Sequence, residues 1–191
     1  MIKIDTSEWK SYKIGNWFNV SRPIARKQSD YEAGDIPFVA SGCFNNGVQA
    51  YLKPQNENDI DRGNCITISP VDGYAFYQEN DFLGRGGAGS SVIIIRNENL
   101  NRYCGQYIAS ILRHTFQTWS YADMGTTDVV KEACINLPTK DEEPDWGYME
   151  RYIKNVEAET KKRLDEIFVI KNKQKRRLDL STWREYQISE L

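Results

Sequence analysis

Histidine is nearly absent from this 191-residue chain, which carries His114 alone. With no recognisable nucleophile beside that one base, a serine–histidine–acid triad is excluded. Closely paired cysteines are lacking too. Cys43, Cys65, Cys104 and Cys134 are spaced by 22, 39 and 30 residues, whereas structural zinc sites draw on ligand pairs at short spacing. Reduced, mostly buried thiols are the plainer reading, and no metal site is expected. Apolar runs stop well short of the ~20 residues a membrane helix needs. The opening MIKIDTSEWK has no apolar signal-peptide core. No phosphate-cradling lysine loop occurs. These absences predict a cytoplasmic chain with no membrane association.

A large charge imbalance is missing as well, since the net charge of −2 argues against a generic nucleic-acid binder. The distribution is uneven. Residues 161–177, KKRLDEIFVIKNKQKRR, hold eight basic and two acidic residues, which leaves the rest of the chain at net −8. The 171–177 part reads equally as a solvated face at a helix C-terminus, a DNA-backbone contact or a docking surface for a partner. A second basic group, Arg22, Arg26 and Lys27, lies near the start.

What is present falls into two parts. Forty per cent hydrophobic residues support a real core. Up to about residue 138, short strand-like runs recur, each closed by turn residues: IPFVA (36–40), GVQAYL (47–52), CITIS (65–69), YAFYQ (74–78) and SVIIIR (91–96). One amphipathic helix fits Tyr103, Cys104, Tyr107, Ile108, Ile111 and Leu112, capped by Asn99 or Asn101. GTTDVVKEACINLP (125–138) predicts a short capped helix and a strand-like exit. After the acidic connector DEEPD (141–145), no proline occurs and no glycine follows Gly147. A helix from Asp145 to about Leu178 is expected, ~50 Å long. Its roughly heptad stripe, Met149, Ile153, Val156, Thr160, Leu164, Ile167 and Leu178 with Tyr152 and Phe168 beside it, has no evident partner in its own chain and points to a partner helix.

Several motifs carry both a chemical and a plain reading. Gly84, Gly86 and Gly89 satisfy G-x-G-x-x-G, but a strand-like run follows where the dinucleotide fingerprint needs a helix. A loop between strands is expected instead, with Arg85 in reach of a phosphate or base edge. Asp145, Glu159 and Lys161 mimic a metal-dependent nuclease pattern. On one helix the two carboxylates would stand ~21 Å apart and could not share an ion. Asn45 and Asn46 in GCFNNGVQ suit adenine contacts or an ordinary Asn-Gly turn. Tyr121, Thr126 and Thr127 in TWSYADMGTTD suit a phosphate at a helix start or a helix cap.

Taken together, SEWKSYKIGNWFNV, YEAGDIPFVASGCFNNGV, GNCITIS, MGTTDVVKEACINLP and PDWGYMERYI resemble the specificity subunits of type I restriction–modification systems and related subunits of type IIB enzymes. The likeness covers residues 7 to about 178. Where the widespread form has Glu-Gln after its Leu-Pro motif, this chain has DEEPDW. The resemblance implies an α+β chain, with a mixed, strand-rich target recognition domain (1–140) and one long helix (145–178). It implies a non-catalytic subunit that reads double-stranded DNA. S-adenosylmethionine, ATP and magnesium would sit only on partner methyltransferase and restriction subunits.

Family members carry two such domains with antiparallel helices, so a half-length chain is expected to form a homodimer and an antiparallel helical stem. DNA contacts are expected from Arg22, Arg26, Lys27, Asn45, Asn46, Arg85, Tyr121, Thr126 and Thr127. Dimer or partner contacts are expected from Met149, Tyr152, Ile153, Val156, Leu164, Ile167 and Phe168. The rival readings are a non-catalytic protein-interaction module with the same stem and, more weakly, a nuclease. A further sign is internal: DLSTWREYQISEL (179–191) repeats DTSEWKSYKIGNW (5–17) at an offset of 174, aligning Trp9 with Trp183 and Tyr12 with Tyr186. That reads as the start of a truncated second unit.

Overall fold

The computed structural model describes residues 6–24, 27–87 and 90–174, with side chains described as far as Ile170. The chain divides into two compact units, Met1–Ile153 and Lys154–Leu191.

Short strands dominate the first unit because turn residues interrupt every apolar run. It opens with β1 (Lys10–Lys13), a single helical turn α1 (Ile14–Trp17) and β2 (Asn19–Ser21). Then come β3 (Ala33–Val39), β4 (Val48–Leu52), β5 (Cys65–Ile68), β6 (Ala75–Gln78), β7 (Leu83–Gly84) and β8 (Ile93–Arg96). Two helices follow, α2 (Arg102–Thr115) and α3 (Thr127–Glu132). β9 (Cys134–Leu137), β10 (Thr139–Lys140) and β11 (Glu143–Pro144) lead into α4 (Trp146–Gln174).

The largest sheet is antiparallel, in the order β2-β8-β5-β6. Its two central strands are the β-branched runs: Ile66, Ile68, Ile93, Ile94 and Ile95 are all at most 1% exposed. A second sheet, β4-β3-β7, joins an antiparallel pair to a parallel one, in which Phe38 faces Leu83 and Val39 faces Gly84. β1 pairs with β9 in antiparallel register from Lys10↔Leu137 to Lys13↔Cys134, closing the unit on itself.

α2 lays Cys104, Tyr107, Ile108 and Leu112 into the main core. Of the two caps the sequence offered, the structure uses Asn101. Its side-chain oxygen accepts from the Tyr103 and Cys104 backbone N–H groups at 2.9 and 3.0 Å. Gly105 permits the close packing of α2 on β6, since a Cβ there would lie 2.1 Å from the Tyr77 ring.

α4 corrects one expectation. Met149 is fully buried in the core of its own chain, and Tyr148, Tyr152 and Ile153 pack against that core. The Tyr152 ring meets Tyr107 edge-on, with centroids 5.5 Å apart. The first two turns of α4 are therefore spent inside the first unit. The stripe that the sequence left without an intrachain partner has one over Met149–Ile153. Asp145 caps this start, its carboxylate accepting from the Tyr148 N–H at 2.8 Å.

In the second unit, α4 continues with a Glu159–Arg163 pair one turn apart. Val156 is half-buried. Leu164, Ile167, Phe168, Val169 and Ile170 are each at least half exposed. Residues 171–174 continue the helix backbone. The rest of the basic run, Leu178 and the repeat at 179–191 lie outside the described residues.

Candidate nucleic-acid interface

Two arginines from distant parts of the sequence converge. Arg22 leaves β2 half-buried, and its guanidinium donates to the backbone carbonyl of Ser91. Burial moves its pKa down from the ordinary arginine value. Arg85 follows β7, and its guanidinium donates to the Ser90 hydroxyl. The Arg85 backbone is pinned on both sides: its N–H donates to Val39 at 2.7 Å, and its carbonyl accepts from Val92 at 3.0 Å. Asp61 ties the base of this cluster. It is 8% exposed and accepts the Gly84 N–H at 3.2 Å. Loss of water around it raises its pKa to about 6, against the pull of the Gly84 and Ile24 backbone bonds and of Arg96. Pro23 packs so closely that a Cβ on Gly84 would sit 2.6 Å from it.

Among the described residues the partners of these two arginines are neutral. Lys10, Lys13, Arg62 and Lys131 instead pair with the carboxylates of Glu142, Glu132, Asp81 and Asp128. A carbonyl or hydroxyl fixes a guanidinium without cancelling its charge, so Arg22 and Arg85 remain oriented cations ready for an anion or a base edge.

Hydrogen bonds carry this cluster along to the β3–β4 turn. The Ser41 hydroxyl donates to the Ser90 carbonyl at 3.4 Å, and the Ser41 carbonyl accepts from Gln49 at 2.7 Å. Asn45 and Asn46 form the turn, both left-handed, with φ of 48° and 56°. The Asn45 amide donates to the Val48 carbonyl at 3.1 Å. The Asn46 amide donates to the Tyr77 carbonyl at 3.1 Å and to Gln78 Oε1 at 3.0 Å, filling both of its donor positions. Gln78 returns a bond to the Asn46 carbonyl at 3.0 Å. Asn46 thus locks the turn to β6, while Asn45 keeps one N–H and its oxygen. Beside them Phe44 is 83% exposed.

The remaining predicted residues divide. Lys27 is exposed, with its backbone N–H on Asp30 at 3.1 Å, and Arg26 lies outside the described residues. Tyr121 is 78% exposed on the turn closed by Ser120 and Asp123. Thr126 takes the plain role: its hydroxyl oxygen caps α3, accepting from the Val129 N–H at 3.2 Å. Thr127 is the first residue of that six-residue helix. The segment docks on the β5–β6 turn, where the Gly125 N–H donates to Pro70 at 2.9 Å.

Sequence reasoning missed Arg113, Tyr74 and Phe76. The Arg113 guanidinium lies 4.2 Å from the Tyr74 ring centroid, and Tyr74 stacks on Phe76 at 6.2 Å. The signal was there in outline, because Tyr74, just before β6, and Phe76 within it flank buried Ala75, the alternation that sets two side chains on one face.

Among the described residues no three His, Cys, Asp or Glu side chains converge as metal ligands do, and no helix is long and apolar enough to cross a membrane. Of the nuclease-like trio, Asp145 caps α4 and Glu159 pairs with Arg163.

A mixed strand-rich unit with cation-bearing loops, followed by one long helix, is the arrangement of a DNA specificity domain. Residues 6–175 match the type I restriction modification DNA specificity domain, and the chain belongs to that family. It is 26% identical over 163 residues to the specificity subunit S.BcgI of a type II restriction enzyme from Heyndrickxia coagulans, a match covering 83% of this chain and 46% of that protein. The chain thus spans about half the length of this curated relative. In fold it is similar to the HsdS subunit of Thermoanaerobacter tengcongensis, with a TM-score of 0.54 at 15% identity over 92% of this chain and 42% of that one. It is also similar to the type I S subunit of M. genitalium, with a TM-score of 0.51 at 16% identity over 87% of this chain and 44% of that one.

Proposed function

We propose that this chain is the DNA sequence-recognition subunit of a restriction–modification system, reading one half of a bipartite duplex site through the loops of its first unit. The observation that carries this is the convergence of Arg22 and Arg85 on Ser91 and Ser90, held by neutral partners beside the Asn45–Asn46 turn. Cations oriented in this way position a protein on phosphates, and the polar turn next to them supplies base-edge partners. The chain itself performs no catalysis. Methyltransferase subunits hold S-adenosylmethionine and modify the DNA, and a restriction subunit with ATP and magnesium cuts it.

The long helix carries assembly. Exposed Leu164, Ile167 and Phe168 suit a second copy of this chain packed antiparallel, together with the methyltransferase subunits. A homodimer brings two such reading units together and favours a palindromic site. The setting is the cytoplasm, where the host DNA is.

The decisive experiment is an exchange. Residues 20–130 are replaced by those of a relative, the hybrid is reconstituted with its methyltransferase, and the methylated motif is sequenced. The motif is expected to change to that of the donor. An unchanged motif would leave only the rival reading, an interaction module with a helical stem.

A further inference from the structure

Resting on that reading, we propose that Arg113 is a specificity-determining residue that contacts a guanine edge in the recognised half-site. Arg113 stands in the last turn of α2, a place where a cation ordinarily just favours the helix C-terminus. Its surroundings give it more to do. The guanidinium lies over the Tyr74 ring, and among the described residues it makes no ion pair, so its charge is held in place but not neutralised.

Arg113 also lies between two adjoining clefts. One, of about 300 Å³, is lined by Asp72, Tyr74, Ser110, Arg113, His114 and Gln117. The other, of about 500 Å³, runs from Arg113 and Ser110 past Gln106 to Phe76 and Asn46. The ring contact holds the guanidinium in place, and its N–H groups suit two acceptors side by side, the arrangement that guanine O6 and N7 present in the major groove. The walls distinguish a base from a phosphate. They offer the Ser110 hydroxyl, the Gln117 and Gln106 amides, the His114 ring and one carboxylate, Asp72, whose Oδ1 accepts the Tyr74 N–H at 3.2 Å; a carboxylate there repels a phosphate, and its other oxygen suits the amino group of the paired cytosine. The link to the rest of the interface is direct, since Asn46 is both a wall of the second cleft and the lock of the β3–β4 turn.

The test uses the full chain assembled with its methyltransferase subunit and a random-sequence duplex DNA library, from which bound molecules are sequenced. Wild type, Arg113→Ala, Arg113→Lys and Tyr74→Leu are compared, each with a melting curve. The expected result is that both Arg113 variants lose preference at one G·C pair by about tenfold to a hundredfold, with the other positions of the motif and the melting temperature retained. Arg113→Lys keeps the helix-terminal charge but not the two-pronged edge, so it fails to restore the preference. Tyr74→Leu weakens the same position. Recovery of the full motif by Arg113→Lys would make the role one of helix stability and overturn the proposal. So would a uniform loss at every position with a shallower salt dependence, which marks a phosphate contact. A wild-type complex that enriches no motif would instead overturn the recognition function on which the proposal rests.

Discussion

Arg22 and Arg85 are 63 positions apart in sequence, yet they bind consecutive residues, Arg22 the Ser91 carbonyl and Arg85 the Ser90 hydroxyl. Two cations so placed are expected to act on the same stretch of DNA backbone. Arg22→Ala and Arg85→Ala should each weaken duplex binding by the assembled complex. Each should also reduce the slope of log affinity against log salt by about 0.9 for each phosphate no longer neutralised. A titration series from low to moderate salt measures this. Identical slopes for both variants and wild type would remove the pair from the interface. Arg85→Ala is the cleaner variant, because Arg22 also satisfies a carbonyl in the half-buried β2 exit.

Asp61 gives a pH dependence whose sign can be worked out. Its folded pKa is raised to about 6 from an ordinary value of 3.8. Between those two values the folded state holds the proton more tightly than the unfolded one. Stability from this group is therefore full below about pH 4 and is lost as the pH rises through about 6, on the order of 2–3 kcal/mol in all. Asp61→Asn keeps an oxygen for the Gly84 N–H and removes the titration. Denaturant melts of the variant should vary less between pH 4 and 7 than those of wild type. Parallel curves would show that Asp61 is better hydrated than its burial indicates.

Gly73 holds the β5–β6 turn against the end of α2 at φ +68°, and a Cβ there would fall 1.9 Å from the Phe116 carbonyl oxygen. Gly73→Ala combines left-handed strain with a clash against backbone that cannot move aside, so a loss of about 2–3 kcal/mol is expected. Gly87 is the control. Its φ of +85° is equally unfavourable for alanine, but among the described residues nothing lies within 4 Å of the added methyl. There the cost should be near 1 kcal/mol, from backbone strain alone. The two midpoints in urea, at constant slope, make the comparison.

Local signals in the sequence disclosed some elements and not others. β5 and β8 were legible because consecutive β-branched residues bounded by turns have few other uses. The α2 cap and stripe were legible because both signals are local. The parallel pairing of Phe38 with Leu83 was not, since a two-residue strand has no periodicity to read. On local grounds Asn46 suits a base contact or a turn alike, because the group that engages it, Gln78, is 32 residues away. Arg113 carries no local signal, because the ring beneath it, Tyr74, is 39 residues away in sequence. The stripe of α4 is only roughly heptad, and period alone cannot say which turns are covered by the chain itself.

That division within α4 leads to a contrast between Met149 and Ile167. Met149 is fully buried in the first unit, whereas Leu164 and Ile167 are 50% and 59% exposed. Met149→Lys forces an unpaired charge into a packed core and should unfold the unit, at a cost above about 4 kcal/mol. Leu164→Lys with Ile167→Lys should leave its melting temperature unchanged and abolish self-association or methyltransferase capture, because the apolar surface removed is exposed among the described residues. Light scattering on the isolated protein and co-purification with the methyltransferase separate the two kinds of assembly. If the double variant still forms a dimer and still captures the methyltransferase, assembly uses another face. The residue to change next is then Val169, which at 100° per residue points away from Ile167 and is 52% exposed.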